Sequence, residues 1–251
     1  MGQTEQTKES KAMNVYEISP MSDVLKGNSY VGRGIVIGKT PDGTHAVTAY
    51  FIMGRSANSR NRVFVLHDGD LFTEPFDPAR VEDPSLIIYA ALRQFGNRLI
   101  VTNGDQTDTV RDGLAAGKSF SEALASRSFE PDRPNFTPRI SGMVTFDYGD
   151  CTYEMSILKS ADPEGTATSR FTFSYPALPG LGHFIHTYMY DGDPLPTFRG
   201  EPERVAIPDD IDTLTADIWN NLDTDNRISL YVRYTDIVSG EKQERIINRN
   251  A

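Results

Sequence analysis

An α+β fold with mostly antiparallel sheet is what this sequence predicts, and two observations carry the expectation. Strand-like apolar runs come in adjacent pairs joined by turn residues, and helical spacing is confined to separate blocks. The 251 residues suffice to bury a proper core in one large domain or two small ones. Apolar residues at 38 % and charged residues at 24 % are ordinary for a globular protein. No apolar run approaches the roughly 20 residues that span a bilayer.

The elements follow in order. "MGQTEQTKESKA" is polar and has no apolar core, so residues 1–15 read as a disordered tail or leader, and Met13 as a second start. Residues 16–251 read as a single domain. "SPMSDVLKGN" suits a short helix stopped at Asn28, and "YVGRGIVIG" a strand ending at Gly38. The turn "PDGT" leads to the partner strand "HAVTAYFIM", and "NRVFVL" is a third strand. "DPSLIIYAALRQFG" has helical spacing through Leu86, Tyr89, Ala90 and Leu92, with Gly96 as its stop.

"NRLIVTNGDQTD" is a strand running into the Asn103-Gly104 turn, followed by the helix "DTVRDGLAAG". In "SFSEALASRSF", Ser119 and Glu122 have capping-box spacing. "RISGMVTFDYGDCTYEMSIL" reads as two antiparallel strands meeting near Gly149. The last third supplies the strand "HFIHTYMY", the amphipathic helix "DDIDTLTADIWNNL", and a hairpin around Ser239-Gly240. One long irregular connection, "DGDPLPTFRGEPERVAIP", is expected between them.

Charge narrows the function. The net charge is -10, so a nucleic-acid-binding domain is disfavoured. Within Tyr30 to His67, however, Arg33, Lys39, Arg55, Arg60 and Arg62 face Asp42 alone. That cluster is the size of a small-molecule phosphate site. The lone Cys151 excludes an internal disulfide or a thiolate metal cage and fits the cytoplasm. His183 and His186, three apart on a strand, point to opposite faces and could not chelate one ion together.

"GRGIVIG" lacks dinucleotide-loop spacing and leads into a strand. "GRSANSRNR" is the stronger candidate. Arginine forks bond phosphate oxygens bidentately and serine hydroxyls add neutral donors, although a solvated hairpin tip has the same composition. In "TNGDQTDT", Asn103 and Gly104 lie at a strand end before a helix whose N–H groups favour anions or ligand carbonyls. Asp108 taken alone suits a helix cap. In "FEPDRPNFTPRI", Glu130 and Arg139 flank a proline-rich loop, where a surface ion pair is the plain alternative.

Taken together, "YVGRGIVIG", "GRSANSRNR", "DPSLIIYAALR", "TNGDQTDTVRDGLAAGKSFSEAL" and "FTPRI" resemble the archaeal-type stand-alone inosine monophosphate (IMP) cyclohydrolases and their bacterial relatives. The likeness is carried by Tyr30 to about Ile140, and about 176–251 look like an extension of the shorter archaeal form. The resemblance implies an Ntn-hydrolase-like four-layer αββα sandwich with mostly antiparallel sheets and no self-processing. It implies ring closure of 5-formamidoimidazole-4-carboxamide ribonucleotide (FAICAR) to IMP and water, with a purine nucleotide as partner, no nucleic acid or membrane, and neither cofactor nor metal.

By resemblance, Arg62 polarises the formyl oxygen, Tyr89 donates to the reacting centre from its helix, and Glu130 accepts a proton. Arg33, Arg55 and Ser56 contact phosphate or ring, with Asn61 and Asp108 as further substrate contacts. Asn103 and Gly104 meet the base or carboxamide, and Arg139 binds phosphate or pairs with an acid. Arg60 receives no role. Two other readings stay open: a nucleotide binder without turnover, and an Ntn-type amidase with a processed N-terminus, for which Ser29 is the candidate. "PLPTFRGEP" suits either an active-site cover or the interface of a homo-oligomer.

Overall fold

The computed structural model describes residues 14, 16–81 and 88–250. The chain opens with α1 (Met21–Leu25) and the hairpin β1 (Arg33–Lys39) and β2 (His45–Met53). One helical turn, α2 (Ala57–Arg60), leads to a second hairpin, β3 (Val63–His67) and β4 (Asp70–Glu74). Strands β5 (Tyr89–Phe95) and β6 (Arg98–Thr102) precede helices α3 (Gln106–Ala115) and α4 (Phe120–Leu124). A meander of β7 (Arg139–Asp147), β8 (Asp150–Ser160) and β9 (Thr168–Pro176) follows. The last part adds β10 (Leu181–His186), β11 (Glu203–Ala206), α5 (Ile211–Asn221), β12 (Arg227–Asp236) and β13 (Lys242–Asn248).

These strands form two sheets, in the orders β11-β10-β1-β2-β12-β13 and β3-β4-β5-β6-β7-β8-β9. Neighbours within each sheet run antiparallel. Side-chain alternation then sorts the apolar residues by face. Ile35, Ile37, Tyr50 and Ile52 of the first sheet pack against Leu92, Val101, Ile140 and Val144 of the second, forming the core between the sheets. The residues between them in sequence, such as Val36, Ala49 and Phe51, point the other way and bury the apolar stripes of α1 and α5. Helices α3 and α4 cover the outer face of the second sheet through Val110, Leu114, Phe120 and Leu124. Strands β1 and β2 are thus buried on both faces, which is why they read as unbroken apolar runs.

The stretch beyond residue 176 supplies four of the six strands of the first sheet, including both flanks of the β1–β2 hairpin. On one flank Gly38 lies directly opposite Gly182. A methyl group added to Gly38 would stand 2.6 Å from the Gly182 Cα and 2.7 Å from the Leu181 carbonyl oxygen, so backbone rather than a flexible side chain would have to move. Gly38→Ala should therefore cost about 1–3 kcal/mol, seen as a lower urea midpoint at unchanged slope.

Several sequence expectations need correction. The helix expected over "DPSLIIYAALRQFG" is, in its described part, strand β5, so Tyr89 stands on a strand; residues 82–87 lie outside the described residues. The Ala-Leu-Arg-Gln run favours helix intrinsically, but pairing with β4 on one side and β6 on the other overrides that weak preference. Asp108 does not cap α3. The N-cap is Asp105, while Asp108 accepts from Arg93 at 2.6 Å and pairs with Arg111 at 3.0 Å. The connection expected to be irregular contains β11, and the sequence patterns missed β4 and β9. The capping box at Ser119 and Glu122 and the hairpins at Gly149 and Gly240 form as expected.

Candidate active site

Register brings several strand ends to one edge of the sandwich. Arg33, the first residue of β1, pairs with Ile52 near the end of β2; Met53 pairs with Arg227 at the start of β12; and Gly34 pairs with His186 at the end of β10. The chain leaves β2 through Gly54 and turns at α2, where Ser56 and Ser59 cap each other reciprocally. Asn61 closes the turn by bonding both the N–H and the carbonyl of Asp77. This compact turn separates the three arginines of "GRSANSRNR" by task.

Arg60 braces the turn through Gly54 O and Asn226 Oδ1. Arg55 lies at the rim, paired with Asp191 at 2.6 Å and set over the Tyr30 ring. Arg62 points inward and is 1 % exposed. Its Nε donates to Ser59 O at 2.7 Å, while one terminal nitrogen is buried without a partner among the described residues.

A cleft of about 300 Å3 opens here, lined in part by Arg33, Arg55, Ser56, Arg62 and Glu130. Arg33 also has a buried Nε without a partner among the described residues. Burial alone would lower its pKa, but Glu130 and then Tyr30 facing it hold it above the usual arginine value. Arg62 is held below the usual value, by burial first and by the Arg33 guanidinium second. Glu130 is 5 % exposed and its backbone N–H is fixed on Thr137 O. Burial raises its pKa, and the opposing fields of Arg33 and Arg139 leave it above the ordinary value of 4.5. Two guanidinium groups and one carboxyl group thus share a desolvated cleft, and no direct ion pair joins them among the described residues. Such a cluster favours a ligand that brings its own negative charge and hydrogen-bond acceptors.

Of the residues singled out in the sequence, Arg33, Arg55, Ser56, Arg62 and Glu130 meet in this cleft. Tyr89 stands behind it, its hydroxyl 2.8 Å from that of Tyr50. Asn61, Asn103, Gly104 and Asp108 are not on its walls. Asn103 is spent on internal bonds to Pro138 O, Ile140 N and Gln106, holding the loop that leads into β7. Gly104 is small because a Cβ there would meet an Arg139 nitrogen at 2.6 Å. Arg139 pairs with Asp105 and Gln106 and lines a neighbouring recess. His183 and His186 hold separate partners, the Tyr153 hydroxyl and the Tyr188 carbonyl.

Sequence reasoning passed over Tyr30, Asp132, Asn135, Thr137, Tyr188 and Leu195, which with Asn58 and Ser59 of the turn complete the walls. Tyr30 and Thr137 lay within the quoted motifs "YVGRGIVIG" and "FTPRI", but nothing in the sequence ties Tyr188 or Leu195 to this site.

The family model described as IMP cyclohydrolase-like protein matches residues 30–241. The IMP cyclohydrolase of Methanopyrus kandleri is 32% identical over 182 residues, covering 68% of this chain and 89% of that protein. That of Methanococcus maripaludis is 33% identical over 122 residues, covering 47% of this chain and 59% of the relative. That of Haloquadratum walsbyi is 31% identical over 119 residues, covering 46% and 56%. The family match includes β1, the arginine turn, the Glu130 loop and the strands β10 to β12 of the first sheet, and the chain belongs to the IMP cyclohydrolase-like family.

Proposed function

We propose that this protein is an IMP cyclohydrolase, closing the second purine ring of FAICAR to give IMP and water in purine biosynthesis. The observation that carries the reading is the family membership joined to the mutually unpaired charges of buried Arg62 and Glu130 and half-buried Arg33 around one cleft. Helices over the outer faces of both sheets support the finer fold reading, an Ntn-hydrolase-like four-layer sandwich. Helix α1, packed on α5 upstream of Ser29, argues against a processed amino terminus. No described helix is long and apolar enough to cross a membrane, and the buried Cys151 fits a reducing compartment such as the cytoplasm.

The chemistry joins the carboxamide nitrogen to the formyl carbon and expels the formyl oxygen as water. One proton leaves the carboxamide nitrogen and one the formamido nitrogen, and both end on that oxygen. Nucleophile and electrophile belong to one molecule, so holding the formyl group against the amide removes much of the barrier. Arg62 is suited to the formyl oxygen, since its unpartnered nitrogen offers a charged donor in a desolvated setting. Glu130, a carboxyl with a raised pKa, is suited to take the carboxamide proton and return it to the departing oxygen. Arg33, with Arg55 and Ser56 at the outer side, is suited to the phosphate, whose binding energy fixes the reacting groups. Tyr89 stands behind the reacting groups with its hydroxyl bonded to that of Tyr50.

The test mixes purified protein with FAICAR and follows IMP by absorbance. Turnover is expected. Saturable IMP binding without turnover would make the protein a nucleotide binder instead, and no binding would overturn the reading.

A further inference from the structure

One wall of the cleft carries groups that the ring closure above leaves unused. Tyr188, Thr137 and Asp132 all line it. The Thr137 hydroxyl lies 2.5 Å from the Tyr188 hydroxyl and also donates to Asp132 Oδ2. The Thr137 backbone N–H donates to the other oxygen, Asp132 Oδ1, at 2.6 Å. A threonine hydroxyl has one proton, and an ionised carboxylate can only accept. The Thr137 proton is therefore committed to Asp132, and the Tyr188 proton to Thr137. The Tyr188 oxygen is left with a free lone pair and no proton to give.

The surroundings hold this arrangement in place. Tyr188 is 1 % exposed, stacks on Tyr30 at 5.9 Å between ring centroids, and donates its backbone N–H to Val31 O. Past it, the Leu195 N–H is fixed on Asn135 Oδ1 at 3.0 Å, tying the segment after β10 to the Asp132–Thr137 loop. The rest of the lining supplies donors in Arg33, Arg55, Ser56 and Arg62. Among these donors the cleft holds acceptors in Glu130 and the Tyr188 oxygen.

We propose that Tyr188 is a hydrogen-bond acceptor of fixed polarity for an O–H or N–H donor on the bound purine nucleotide, and that Asp132 and Thr137 are positioning residues that set this polarity. The inference rests on the cyclohydrolase reading. The donor is either a ribose hydroxyl or the amide N–H of the base, and the same experiment distinguishes them.

Wild-type turnover of FAICAR is established first in the full-length protein, because its absence would overturn the functional reading rather than this inference. Kd for IMP and kcat and KM for FAICAR are then measured for Tyr188→Phe, Asp132→Asn and the double variant. Asp132→Asn is nearly isosteric. Its amide oxygen must still accept the Thr137 backbone N–H, so its NH2 faces the Thr137 hydroxyl and donates, reversing the chain. The Tyr188 proton then points at the ligand donor.

Each single variant should bind IMP roughly tenfold more weakly, the worth of one hydrogen bond, and the double variant no more weakly than either alone. With 2′- and 3′-deoxy ligands, a ribose contact would make Tyr188→Phe costless for one of them, with the loss in KM. An amide contact would give equal losses on all ligands, partly in kcat. Either pattern supports the acceptor. An active wild type with Tyr188→Phe unchanged in Kd and kcat would overturn the proposal, as would full additivity of the two single losses.

Discussion

Arg62→Ala should lower kcat for FAICAR by about 10²- to 10³-fold while leaving the protein folded. The size follows from what is lost, a charged donor in a desolvated cleft aimed at the oxygen on which negative charge develops. The fold should survive because Arg62 is an expensive residue to keep. It is buried beside a second guanidinium, with a terminal nitrogen unpartnered among the described residues, so its removal relieves a desolvation cost that offsets the cavity left behind. Circular dichroism and the urea midpoint check that half of the expectation. The kinetic half separates two roles for the same side chain. A polarising contact made in the transition state lowers kcat with little change in KM. A phosphate anchor raises KM and leaves kcat near wild type, and that outcome would move Arg62 from the reacting centre to the substrate's distal end.

What the sequence revealed of this site was composition, and what it concealed was placement. The excess of arginine and serine between two strands marked the right turn, because charge of one sign in an acidic chain needs a reason. It could not tell Arg60, spent on Gly54 and Asn226, from Arg62, aimed into the cleft, since neighbours two apart in sequence differ only in how α2 turns them. The "TNGDQTDT" block misled in a different way. Asn103 at a strand end and Asp108 in the helix after it have the usual look of ligand contacts, yet their bonds stay within the scaffold: Asn103 holds the loop on which Arg139 begins β7, and Asp108 ties α3 to β5 through Arg93. Tyr89 was assigned to a helix because Ala and Leu obscured a strand that makes a tight hairpin with β6 and pairs with β4 on its other side. The apolar runs of β1 and β2 were legible as strands, whereas the sheet order that sets β10 beside β1, and so brings Tyr188 to the cleft, depends on long-range pairing.

Glu130→Gln should lower kcat by about 10²- to 10⁴-fold and remove the acid limb of the pH profile. A general base works ionised, so the rate falls as pH drops through its pKa. Burial raises that pKa and the nearby Arg33 and Arg139 only partly oppose it, so the limb in kcat/KM should lie above the ordinary glutamate value of 4.5. Glutamine keeps the shape and cannot titrate. A limb that persists in the variant would assign the base to another group.

The same residue makes a second, independent statement through stability. A carboxyl whose pKa is higher folded than unfolded binds its proton more tightly in the native state, so its contribution is fully present below the unfolded pKa and is lost as pH rises through the folded one. Urea midpoints of the ligand-free protein should therefore shift in favour of Glu130→Gln, relative to wild type, as pH rises across that window. The lost attraction to Arg33 is a roughly constant offset above it. A difference independent of pH would mean that Glu130 ionises normally in the folded protein, and its proton-accepting role would then lack the property that suits it to work near neutral pH.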